Sequence, residues 1–207
     1  MLTTTHRRLA LAGLVGPVTF VAAWIVGGLI VRGYSSLDYS VSRLAAVGVS
    51  YRWVMITGFV VLGTSLLLYA PTLRVALPGL TWVTLAASGI ALLGLVAFPL
   101  EDTGTVTHNI LAAAAYLGIA ATPIFGVRPF AQAGMRWAAR ISAGAGVLAG
   151  ACLEFTAVLP HGGVYQRIGF TASQAWIAVT AVIIFRRGFL LAGDDLREEA
   201  TTPRPAR

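Results

Sequence analysis

The chain has 207 residues, of which 57% are hydrophobic and only 11% are charged, and its formal net charge is +7. A soluble domain carries about 25% charged residues, so this composition excludes a soluble globular protein and indicates a membrane domain. The positive charge does not predict nucleic-acid binding, because all 15 basic residues are arginines dispersed between apolar segments.

Six long apolar segments follow one another along the chain. They cover residues 9–31, 53–73, 80–98, 108–125, 137–158 and 168–185. Each is close to the length of about 20 residues that a helix needs to cross a hydrocarbon core of roughly 30 Å. None shows the strict alternation of barrel strands, so we predict an all-α polytopic bundle with six transmembrane helices in the cell membrane.

The distribution of arginine predicts the orientation of these spans. If the N-terminus is cytoplasmic, eleven arginines lie on the cytoplasmic side and only Arg32, Arg43, Arg52 and Arg167 lie outside. The positive-inside rule therefore predicts that both termini are cytoplasmic. We expect a cytoplasmic N-terminus over residues 1–8, a membrane domain over 9–187 and a disordered cytoplasmic tail over 188–207.

The connection between the first two spans is polar. Residues 33–44 include Asp38, Ser40, Ser42 and Arg43, and they are too polar to span. Their alternation is typical of a short amphipathic or re-entrant element that lies along the membrane interface.

The two other connections on the same predicted side also carry polar side chains. Asp102 lies between the third and fourth spans, His108 opens the fourth span, and His161 and Arg167 lie between the fifth and sixth. Because the predicted topology brings these connections to one face, we expect an outward-facing polar pocket suited to a lipid or prenyl-type head group.

The fifth span contains one acidic residue, Glu154. Gly146 and Gly150 form a small-xxx-small pair, which lets a neighbouring helix approach closely, and Glu154 follows four residues later. We therefore expect Glu154 to face the bundle, where an acidic side chain usually has a partner. The alternative is a shallow position near the outer interface, beside an arginine such as Arg167.

Three short motifs resemble those of a known family. They are Tyr-Ser-Val-Ser-Arg-Leu at 39–44, Phe-Pro-Leu-Glu-Asp at 98–102 followed by His108, and Gln-Arg-Ile at 166–168 followed by Trp176. The pattern resembles the six-span bacterial and archaeal membrane family catalogued as domain of unknown function 998. The resemblance implies a six-helix membrane fold and no established activity. Gln166 departs from the glutamate expected before the arginine.

One functional hypothesis is an intramembrane hydrolase that acts on a bound amphiphile. Its catalytic groups would be Glu154, Asp102, His108 and Ser42, and His108, His161 and Asp102 would bind zinc around an activated water. Substrate contacts would come from Asp38, Ser40, Arg43, His161, Arg167 and Trp176. The residue types are similar to those of the ceramidase and adiponectin-receptor hydrolases, but the chain lacks their late pair of histidines four residues apart.

Two alternatives remain open on the sequence. A metal-free terpene cyclase would use Glu154 to protonate a prenyl chain, with aromatic rings stabilising the cation. A non-catalytic transport or assembly protein would use the same polar groups as a structural network. The sequence does not predict the oligomeric state.

Overall fold

The computed structural model describes residues 2–101, 106–188, 190 and 191. The predictions for Asp102, and for nearly all of the tail after residue 188, fall outside these residues.

The described chain is helical and contains no strand. Its helices are α1 (Thr4–Ala10), α2 (Ala12–Ile30), a 3₁₀ helix (Val41–Ala45), α3 (Trp53–Ala76), α4 (Thr81–Ala97), α5 (Val106–Gln132), α6 (Arg136–Val158) and α7 (Gly162–Arg187). Within the described residues, five stretches are long and apolar enough to cross a membrane, with α1 and α2 counted together as Thr4–Ile30. The sixth apolar helix, α4, has 17 residues and is about 26 Å long, a shortfall that a bilayer accommodates by local thinning. The all-helical, multi-pass membrane fold is thus confirmed.

Each spanning helix packs mainly on its neighbours in chain order, and α7 contacts α2 as well as α6 and α5. Small residues bring some of these backbones close together. A Cβ added to Gly63 of α3 would lie 3.0 Å from the Gly89 carbonyl oxygen, and one added to Gly89 of α4 would lie 2.8 Å from that of Gly63. Only glycine permits this reciprocal contact, which explains the close pairing of α3 and α4.

The bundle has two ends that matter for function. We call one the polar end: it carries residues 31–52, 98–101 and 159–163, and the Val47 N–H donates to the Leu100 carbonyl at 3.0 Å. We call the other the terminal end: it carries α1, the last turns of α3, α5 and α7, and the first turns of α4 and α6. There the Arg7 guanidinium donates to the Phe185 carbonyl at 2.8 Å and the Thr72 hydroxyl donates to the His6 carbonyl.

The start of α7 differs from the prediction in a way that shapes the polar end. The helix begins at Gly162, not at residue 168, because the chain turns sharply at His161, whose φ of 60° is left-handed. Arg167 therefore lies in the second turn of α7 and not in a connection. Its position is fixed by the helix that carries it.

Candidate functional site

Arg167 is the centre of a polar network that joins α7 to residues 34–41. Its side chain is buried, and Nη1 donates to the carbonyl oxygens of Ser36 at 2.8 Å, Tyr39 at 3.0 Å and Gly163 at 2.8 Å. Nη2 donates to the Tyr34 hydroxyl at 2.5 Å. A guanidinium suits this role because its planar array of donors reaches several acceptors at once. We call these contacts the Arg167 clasp.

Aromatic rings and backbone dipoles balance the charge of the clasp. The guanidinium carbon of Arg167 lies 5.2 Å from the centroid of Trp24 and 5.8 Å from that of Tyr34. The Tyr34 hydroxyl donates to the Ser40 carbonyl at 2.9 Å. Burial raises the pKa of Tyr34, and the neighbouring charge of Arg167 opposes that shift. Within the described residues Arg167 has no carboxylate partner, so it does not pair with Glu154.

The first turn of α7 holds the same segment through backbone contacts. The Gln166 Oε1 accepts from the Val41 N–H at 2.9 Å, and the Val164 N–H donates to the Leu37 carbonyl at 3.1 Å. A Cβ on Gly163 would lie 2.6 Å from the Tyr39 carbonyl oxygen, so only glycine fits there. The structural role of Gln166 was missed from sequence, although its departure from the family motif marked the position.

His161 and Asp38 lie in direct contact. The His161 Nδ1 lies 2.6 Å from the Asp38 Oδ1, and the Ser35 hydroxyl donates to the Asp38 Oδ2 at 2.5 Å. The Ser35 hydrogen bond, and then the His161 hydrogen bond, lower the pKa of Asp38 below its ordinary value. The side chain of His161 is 62% exposed and that of Asp38 is 49% exposed, so this pair lies on the surface of the polar end.

His108 is buried at the start of α5, apart from this surface pair. Its Nδ1 lies 2.9 Å from the Phe98 carbonyl oxygen, which can only accept, so Nδ1 donates this hydrogen bond. Within the described residues Nε2 has no partner.

The predicted zinc ligands do not form a complete set within the described residues. No group of three or more His, Cys, Asp or Glu side chains in that part of the chain could hold a metal ion. The third predicted ligand, Asp102, lies outside it, and the zinc site stays a prediction.

The remaining polar residues of the first connection have different surroundings. Ser42 is buried within the 3₁₀ helix and Ser40 is half-buried. Arg43 is exposed, with its guanidinium carbon 5.5 Å from the centroid of the Tyr39 ring. Both serines therefore belong to the packed underside of the connection, whereas Arg43 lies on its surface.

The prediction that Glu154 faces the bundle is wrong. α6 buries Gly146, Ala149 and Cys152, whereas Gly150 and Glu154 are exposed. Each step of four residues turns an α-helix about 40° beyond a full turn, so two steps from Gly146 carry Glu154 about 80° away from the buried face. Glu154 lies one turn before the end of α6. The shallow position considered as the alternative is therefore the one that agrees with the structure.

The prediction that Trp176 joins the polar pocket is also wrong. Its indole N–H donates to the Ser142 hydroxyl at 2.8 Å, and its ring packs edge-on against Phe130 with centroids 6.5 Å apart. Both partners lie in the halves of α5 and α6 nearest the terminal end. Trp176 also lies 15 residues after His161, about 22 Å further along α7.

Trp176 lines an apolar groove between α6 and α7, and this groove was not predicted from sequence. Its volume is about 400 Å³. The walls include Trp137, Ile141, Ala145, Ala175, Val179 and Ile183, and Arg187 lies at the terminal end of the groove. Two small side chains, Ala145 of α6 and Ala175 of α7, line the groove beside larger ones, and no sequence motif indicates this arrangement.

One comparison with known proteins places the chain in a family. The family model described as protein of unknown function, DUF998, matches residues 14–183. No curated protein and no solved structure matches the chain. The match covers all of α3 to α6 and most of α2 and α7, so it includes the clasp and most of the groove. The chain belongs to the DUF998 family.

Proposed function

We propose that this DUF998 protein binds one membrane amphiphile, a phospholipid, with an apolar chain in the groove between α6 and α7. The observation that carries the proposal is the groove itself, whose volume of about 400 Å³ lies within the usual range for small-molecule sites. Most of its wall is apolar, as a hydrocarbon chain requires.

Hydrogen bonds behind the wall of the groove hold its side chains in place and leave the apolar surface free for a ligand. The Trp176 indole is fixed by its hydrogen bond to Ser142, and the Thr180 hydroxyl donates to the Trp176 carbonyl at 3.0 Å. Such fixed side chains give a site a defined shape before the ligand arrives, which lowers the entropic cost of binding.

The end of the groove suits a polar head group. Arg187 and Trp137 are both exposed there, and Trp137 is the second residue of α6. Arginine and tryptophan are typical of the level of the lipid head groups. If both termini are cytoplasmic, as the arginine distribution predicts, the head group would lie in the cytoplasmic leaflet.

The polar end supports a structural role more than a binding role. Nη1 and Nη2 of Arg167, the oxygen of Gln166 and the carboxylate of Asp38 contact other parts of the chain. Binding a ligand there would require exchanging these contacts. The groove has no such cost, so we place the amphiphile there and not in the predicted outward pocket.

Chemistry on the bound amphiphile has less support than binding. The cyclase hypothesis needs a proton donor inside a cavity, and Glu154 is exposed on the outer face of α6. The hydrolase hypothesis needs a nucleophile or an activated water near a base, and the described residues that line the groove include no histidine, aspartate or glutamate. We therefore propose binding without a reaction.

Photocrosslinking tests the proposal. A phospholipid with a diazirine near the end of one acyl chain would be reconstituted with the protein, irradiated, and its adducts mapped by peptide mass spectrometry. We expect adducts concentrated between residues 137 and 145 of α6 and between 175 and 183 of α7.

Two matched variants make the test specific. Ala175→Leu fills the groove from an exposed position of α7, whereas Ala114→Leu adds the same side chain to an exposed position of α5 outside the groove. Adducts should fall in the first variant and persist in the second. Adducts spread evenly over the exposed faces of all helices would show only the lipid that surrounds any membrane protein, and would contradict the proposal.

A further inference from the structure

The described charges of the two ends are strongly unequal. The terminal end carries the arginines at positions 7, 8, 74, 128, 136, 140, 186 and 187. The acids of the described residues, Asp38, Glu101 and Glu154, all lie toward the polar end. A membrane surface rich in anionic lipid attracts such a concentration of arginine.

A second groove lies at the terminal end, between α3 and α4. Its volume is about 410 Å³, and its apolar wall includes Leu67, Ala70, Val75 and Ala86. His6, Arg74 and Trp82 line the same groove. Apolar and cationic side chains therefore meet along one side of the bundle, away from the groove between α6 and α7.

Arg74 is held in a position suited to an anion. Its guanidinium carbon lies 5.0 Å from the centroid of the Trp82 ring, and its side chain is exposed. Stacking uses the face of the guanidinium and leaves the N–H groups at its edge available to acceptors. Arg74 donates no side-chain hydrogen bond of its own to the described part of the chain, unlike Arg7 and Arg167.

His6 is fixed in the same groove by one contact of its backbone and one of its ring. Its carbonyl accepts from the Thr72 hydroxyl at 3.1 Å, and its ring Nδ1 lies 2.7 Å from the Thr3 hydroxyl oxygen. The first contact fixes α1 against α3, two residues before Arg74. A second nitrogen-bearing side chain is thereby placed beside the guanidinium.

We infer that the groove between α3 and α4 binds an anionic membrane phospholipid, with its phosphate at Arg74 and His6 and an acyl chain along the apolar wall. Arginine binds phosphate through two parallel hydrogen bonds, which a zwitterionic head group engages less strongly because its own ammonium lies nearby. This site does not depend on the proposed function of the groove between α6 and α7.

Lipid titration followed by native mass spectrometry tests the inference. Purified protein in detergent would be titrated with phosphatidylglycerol and, separately, with phosphatidylcholine of the same acyl chains. We expect Arg74→Gln to weaken phosphatidylglycerol binding by about tenfold, the effect of losing one charge-assisted contact of about 1.4 kcal/mol, and to leave phosphatidylcholine binding unchanged. Arg74→Lys should give an intermediate loss, since it keeps the charge but not the planar pair of donors.

The matched control is Arg43→Gln. Arg43 is also exposed and also stacks on an aromatic ring, that of Tyr39 at 5.5 Å, but it lies at the polar end. It should leave both titrations unchanged. An equal loss in both variants would show an effect of net charge alone and would overturn the inference. Displacement of the bound lipid by excess inorganic phosphate would also overturn it, because the site would then recognise the free anion.

Discussion

Replacing Arg167 should destabilise the protein more than replacing any exposed arginine. The side chain donates four hydrogen bonds, three of them to backbone carbonyls of Ser36, Tyr39 and Gly163. Arg167→Ala leaves these acceptors without their donor. A hydrogen bond to a charged group contributes about 1.5 to 3 kcal/mol, but the four share one side chain and are not additive. The loss on breaking a buried charged network, about 3 to 5 kcal/mol, is the better guide.

The assay is equilibrium unfolding in mixed micelles, with tryptophan fluorescence as the signal. Arg167→Lys should lose about 1 to 3 kcal/mol, because an ammonium cannot reach the same acceptors in one plane. Arg43→Ala is the control, and its single exposed ring contact predicts a loss of about 0.5 to 1 kcal/mol. Hydrogen exchange in Arg167→Ala should increase mainly over residues 34–41. The clasp has no such role if Arg167→Ala loses no more free energy of unfolding than Arg43→Ala.

Three further predictions concern the same half of the molecule. Glu154→Gln should change the free energy of unfolding by no more than about 0.5 kcal/mol in the same assay, because the side chain is exposed; a loss above about 2 kcal/mol would return Glu154 to the bundle interior. Gly163→Ala should destabilise the protein by about 1 to 3 kcal/mol, because the added Cβ would contact three carbonyl oxygens. The control Gly150→Ala, whose added Cβ has no atom within 4 Å, should be neutral or stabilising by up to about 1 kcal/mol. Equal effects of the two substitutions would refute the packing described. Because the pKa of Asp38 is lowered on folding, its contribution to the free energy of unfolding is present above the ordinary pKa of 3.8. That contribution is lost as the pH falls through the lower pKa of the folded state. A pH series of unfolding should therefore show a decline below about pH 4 that Asp38→Asn lacks, and the same decline in both proteins would contradict this assignment.

The apolar spans and the family could be predicted because they depend on properties that the sequence carries directly. A span is set by length and hydropathy, and the arginine-containing motif at 166–168 needs no knowledge of packing. The convergence of the connections was predictable in part: the contact between Asp38 and His161 follows from their shared end of the bundle. These predictions needed only the order of the helices.

The facing of individual side chains could not be predicted in the same way. The error at Glu154 came from extending a four-residue step over two turns, where the buried face of α6 instead follows Gly146, Ala149 and Cys152. The position of Trp176 depends on Ser142, a partner 34 residues away that no local pattern indicates. The groove arises from the packing of two helices and has no motif.

The measurement that tests the central claim most directly is the mass of the amphiphile retained by the detergent-purified protein, by native mass spectrometry. Ala175→Leu should carry one phospholipid fewer than the wild type, and Ala114→Leu should carry the same number as the wild type, since only the first substitution enters the groove between α6 and α7. The same number of bound phospholipids in all three proteins, or none in the wild type, would contradict the account.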